Sequence, residues 1–82
     1  MSPRRLFSSE EIITALERAG FVARKGHGGH GAWIRQEREG GHRVVIVPLA
    51  KREIPLGTFR SILKQAGLSY DEFLGLAGAR RP

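Results

Sequence analysis

The chain has 82 residues and no cysteine, and its 14 Lys and Arg against 8 Asp and Glu give a formal charge of +6 at pH 7. That length suits a single domain and leaves no room for a cofactor-binding fold beside a substrate domain. The missing cysteines exclude a disulfide framework and a thiolate zinc finger. Apolar residues at 40% and aromatics at 7% suffice for a modest core. The longest apolar run, Val44-Val45-Ile46-Val47, is far short of the ~20 residues a spanning helix needs. Glu10 and Glu11 interrupt the stretch where a signal peptide would be apolar. A cytoplasmic, soluble domain with a polyanionic partner is the expectation, nucleic acid being the leading candidate.

Phe7-Ser8-Ser9-Glu10-Glu11-Ile12 predicts a helix start. Ser8 and Glu11 have capping-box spacing, and Phe7 can staple to Ile12. Ile12, Ile13, Leu16 and Ala19 form one apolar stripe, and Gly20 ends the helix with Phe21 set to fold back on Leu16. Residues 21–25 read as a short strand, followed by the glycine–histidine turn Gly26-His27-Gly28-Gly29-His30-Gly31. Residues 32–38 read as a second strand; a one-turn helix over 33–37 also fits their charges but is too short between glycines to be stable. Gly40 and Gly41 mark a hairpin turn, and residues 43–47 form a β-branched strand that stops at Pro48.

A basic loop with Lys51 and Arg52 then leads to a helix carrying Leu56, Phe59, Ile62, Leu63 and Ala66, closed by Gly67. Ser69 and Glu72 repeat the capping box ahead of a short helix with Phe73, Leu74 and Leu76. Residues 79–82 are expected to be a basic, frayed tail. The expected architecture is α+β: α-β-β-β-α, two main helices packed on one face of a three-stranded antiparallel sheet, with a short extra C-terminal helix. Residues 1–82 make one domain.

Gly26, Gly28 and Gly31 match the dinucleotide fingerprint literally, but that motif needs a helix after the third glycine, and strand-forming residues follow here. His27, His30 and His42 could supply metal ligands, yet four glycines would hold the first two loosely and no acidic residue lies in the run to orient a ring. Acid–base work suits them better, because histidine exchanges protons near neutral pH. Residues 21–43 hold five cations, including Arg24, Lys25, Arg35 and Arg43, against Glu37 and Glu39, a net of +3, whereas residues 1–20 sum to zero. Cations beside histidines are what transfer of a ribose 2′-hydroxyl proton and charge stabilisation at phosphate require. A solvated glycine loop with incidental histidines accounts for the same residues. Trp33 could stack on a base, although beside Ile34 it reads more readily as a packing residue.

The run Val47-Pro48, the basic loop and Gly57-Thr58-Phe59-Arg60-Ser61-Ile62-Leu63-Lys64-Gln65-Ala66-Gly67-Leu68 resembles the HicA family of bacterial mRNA interferase toxins. Glu11-Ile12-Ile13, Leu16, Gly20 and Phe21 match the family's first helix, so the resemblance spans residues 9–74. It implies a fold like a double-stranded-RNA-binding domain and an endoribonuclease toxin that cleaves mRNA without metal or other cofactor. It also implies a HicB-type acidic antitoxin that covers the basic face. The family's histidine follows Gly-Ser and stands three residues before an aromatic position; His30, ahead of Trp33, has that spacing. The resemblance therefore makes His30 catalytic; Arg24, Lys25, Arg35 and Arg43, the cations counted in the same segment, are expected to bind RNA. The chain departs from the family at Gly29, where the serine stands, and at Gly31, where a second histidine commonly follows. Its loop is also longer by Gly26-His27, which leaves His27 as a substitute partner. Two other readings stand beside this one: a non-catalytic RNA-binding module, and a protein-interaction partner of an acidic protein.

Overall fold

In a computed structural model, which describes residues 5–78, both serine caps form at the spacing that predicts them. Ser8 Oγ accepts from Glu11 N at 3.1 Å while Glu11 Oε1 accepts from Ser8 N at 2.9 Å, opening α1 (Ser9–Arg18). Gly20 adopts φ 98° and Phe21 N donates back to Leu16 O at 2.9 Å, so the chain turns sharply into β1 (Val22–His27). β2 (His30–Gln36), β3 (His42–Pro48) and α2 (Leu56–Ala66) follow. Gly67 ends α2 in the left-handed region, and Ser69 with Glu72 caps α3 (Tyr70–Ala77). The expected tail, residues 79–82, lies outside the described residues.

The strands pair antiparallel in the order β1-β2-β3. The observed fold is the expected α+β architecture, of the double-stranded-RNA-binding-domain type, with the helices on one face. Trp33, Val45 and Val47 turn towards the helices and are buried with Ile12, Leu16, Phe59 and Ile62. Phe7, Phe59 and Phe73 meet with ring centroids 4.9–5.3 Å apart, two of the three pairs edge-to-face. Such pairs contribute about 0.5–1.5 kcal/mol each beyond the area they bury. The segment between β3 and α2 is laced to the start of α1: Ser9 Oγ donates to Pro48 O at 2.6 Å and accepts from Lys51 N at 2.9 Å, and Ile54 N donates to Phe7 O at 2.8 Å.

Strand boundaries differ from those read in the sequence, most of all around the histidines. The expected six-residue glycine–histidine turn shrinks to Gly28-Gly29, because β1 continues to His27 and β2 begins at His30. Gly28 takes φ 58° at the first central position, where two-residue hairpins use glycine. Leu49 N donates to Gly29 O at 2.7 Å and pins the turn to the end of β3. At the other hairpin Glu37 N donates to Gly41 O, and Gly40 N donates back to Glu37 O. β2 therefore stops at Gln36 rather than at residue 38.

Candidate active site

Arg24 lies opposite Ala32, and His27 opposite His30, so Lys25 and Gly26 together face the single Gly31. This is a β-bulge, one extra residue on the outer strand. Its consequence is one of parity. Alternation alone would put residues three apart on opposite faces, whereas the bulge returns Arg24 and His27 to the same one. That face is the open side of the sheet, away from the helices.

His27 and His30 are direct cross-strand neighbours, a relation that places Cβ atoms about 4.5–5.5 Å apart. Both are exposed, and with Lys25, Gly26, Ala32 and Ile46 they line a shallow groove of about 280 Å³. A second groove continues along the same face past Arg24, Ala32, Ile34 and Val44 to His42. None of the three strands contains an aspartate or glutamate. Their open face is therefore positive at one end, and it is apolar along its length: Val22, Val44 and Ile46 are 64%, 42% and 43% exposed.

Two glycines build this geometry. A Cβ on Gly26 would lie 2.1 Å from His30 O and 2.8 Å from Gly31 Cα, so the bulge needs glycine there. A Cβ on Gly31 would lie 2.7 Å from Trp33 Cζ3 and 3.2 Å from Leu49 Cδ2. Where the resemblance offers a second histidine, this chain instead buries the Trp33 indole, whose Nε1 donates to Glu17 Oε2 at 3.3 Å. Trp33 is thus a core residue rather than a stacking platform.

Arg24 and Lys25 share the neighbourhood of His30; the other two expected RNA ligands do not. Arg35 and Arg43 are paired with each other across β2 and β3, on the helix-covered face. Arg35 lies five residues along the strand from His30, about 17 Å at the usual strand rise. Its Nη1 donates to Ala19 O beyond the end of α1 at 2.9 Å, and its guanidinium sits 4.6 Å above the Phe21 ring. Arg43 donates to Gln65 O near the end of α2 at 3.3 Å. Glu37 joins them, accepting from Arg35 Nε at 2.9 Å and Arg43 Nε at 3.2 Å, and these bonds hold its carboxyl below the usual glutamate range. Two cations thus sit at two helix C-termini, where the helix dipole favours them, and one carboxylate clasps both.

His42 lies opposite Gln36, at the far end of β2 from His30. Among the described residues no three of His, Cys, Asp and Glu gather as metal ligands, and no helix is long and apolar enough to cross a membrane. The bulge and the exposed stripe escaped the sequence reading, although a glycine inside a strand pattern is itself a bulge signal.

A three-stranded antiparallel sheet with α1 and α2 on one face and a histidine pair at a bulged hairpin on the other defines an α+β domain of the double-stranded-RNA-binding type. The model of a family described as the HicA toxin of bacterial toxin–antitoxin systems matches residues 9–68. The chain belongs to that family, and membership gives it the role of toxin and implies an antitoxin partner. No curated protein matches the chain.

Proposed function

We propose that this toxin is a cytoplasmic endoribonuclease that cuts mRNA by acid–base chemistry centred on His30. The observation that carries the reading is the position of His30. It is exposed at the first position of β2, in a groove with Lys25 and beside Arg24, on strands free of carboxylates. A phosphodiester approaching this face meets positive charge and a proton-exchanging ring with no competing anion on the strands. His30 takes or gives a proton during attack of the ribose 2′-hydroxyl on phosphorus, and the cations steady the charge on phosphate. The reaction needs no metal and leaves a 2′,3′-cyclic phosphate. Of the four expected RNA ligands, Arg24 and Lys25 hold substrate, while Arg35 and Arg43 serve the fold. The antitoxin is an acidic, HicB-type protein that covers this face, and the exposed stripe of Val22, Val44 and Ile46 supplies an apolar centre for that contact.

The test is cleavage of mRNA by the purified protein and by His30→Ala, each with and without EDTA, with analysis of the product ends. Cleavage by the parent protein in EDTA, lost in the variant, supports the proposal. Equal cleavage by the variant refutes the role of His30, and loss of the parent activity in EDTA refutes the metal-free mechanism.

A further inference from the structure

Cleavage by 2′-hydroxyl attack moves two protons, one off the 2′ oxygen and one onto the 5′ oxygen, and the groove holds a second group beside His30 that can carry one of them. Of its lining residues only Lys25, His27 and His30 can ionise. Lysine serves as a fixed charge at neutral pH, which leaves the two imidazoles as the groups able to exchange protons there. Without the bulge, His27 would face the opposite side of the sheet from Arg24; with it, His27 stands directly across from His30. On the proposed ribonuclease reading, we infer that His27 is a second catalytic residue and that the cross-strand pair divides the two proton transfers of one cleavage.

One ring, neutral, accepts the 2′-hydroxyl proton as the 2′ oxygen bonds to phosphorus. The other, protonated, donates to the 5′ oxygen as the phosphorus–O5′ bond breaks. The products are a 2′,3′-cyclic phosphate and a 5′-hydroxyl, and the pair ends with its protons exchanged until solvent resets it. The hairpin is suited to this task because its turn is only two residues long and pinned by Leu49 N, so the two rings are held by paired backbone.

The experiment compares wild type, His27→Ala, His27→Gln and His30→Ala on two RNAs, one ordinary and one with sulfur replacing the bridging 5′ oxygen at the cut site. Thiolate leaves without a proton donor, so the variant that lacks the acid recovers on the sulfur substrate and the variant that lacks the base does not. The expected results are a loss of at least ~100-fold for each His27 variant on ordinary RNA, a bell-shaped pH–rate profile in the wild type that loses one limb in each single variant, and recovery of only one of the two positions. Circular dichroism melting of the His27 variants, whose substitution is at an exposed position, should match the wild type. Wild-type rates with an intact bell in both His27 variants overturn the inference while leaving the ribonuclease reading in place. Absence of cleavage by the wild-type protein overturns both.

Discussion

Replacing Gly26 by alanine isolates the bulge from every charged or titratable group. The added Cβ would lie 2.1 Å from His30 O, 2.8 Å from Gly31 Cα and 3.0 Å from His30 C. All three neighbours are backbone, so no side chain can swing aside. To reach an ordinary contact of about 3.4 Å, the strands must part locally by more than 1 Å or the bulge must unwind. Overpacking of this kind costs about 1–3 kcal/mol. A domain of this size loses about 4–8 °C in Tm per kcal/mol, so 2 kcal/mol lowers the Tm by about 8–16 °C. On the proposed ribonuclease reading, cleavage should suffer more than stability, because a displacement near 1 Å at a reacting group costs about 100-fold. The assay pairs a melting curve with cleavage measured well below the variant's Tm. Gly29→Ala is the control: a Cβ there meets no atom within 4 Å, and both readouts should stay at wild-type values. Gly26→Ala melting and cutting like the wild type would refute the account of the bulge.

Gly31→Ala should cost about 1–3 kcal/mol through its clash with the Trp33 ring, and less on a Trp33→Phe background, where the clashing ring atoms are gone; a double-mutant cycle by denaturation with no coupling would contradict this contact. Glu37→Gln should lower the Tm at neutral pH and flatten its acid dependence. The Glu37 carboxyl is depressed in the folded state by its bond to Arg35 and then by Arg43, so its stabilisation is present above about pH 4.5 and fades as pH falls through the lower folded value. The two melting curves should therefore converge in acid, and a constant gap down to pH 3 would contradict the assignment. Ser8→Ala and Ser69→Ala should each lose about 1 kcal/mol in chemical denaturation, since both hydroxyls accept from the amide three residues on.

The caps, helix stops and β-branched third strand were legible in the sequence because each depends on residues within five positions of one another. The face on which a strand residue lies is not local in that sense. Arg35 and Arg43 look like phosphate ligands when charge is counted along the chain, but the start of β2 at His30 puts them with the helix ends. Glu37 reads as stray negative charge until Arg35 and Arg43 are seen on either side of it. His27 looked like part of a loose turn because the single residue that resets its parity, Gly26, is as compatible with a loop as with a bulge. His30 stood out through the spacing to Trp33 that the resemblance supplies, and His27 as its substitute partner; that the two lie directly across from each other was not legible.

The open face must also stay out of trouble when nothing covers it. Sheets with exposed valine and isoleucine tend to grow by adding strands at their edges. Here β1, an outer strand, carries Arg24, Lys25 and a bulge, while on β3 the Ile46 amide is already taken by Gln65 Oε1 at 3.0 Å. The cations proposed to greet RNA therefore guard the protein against its own copies as well. Neutralising Arg24 and Lys25 to disarm the toxin would trade toxicity for aggregation, and a harmless, well-behaved form is better made at the histidines.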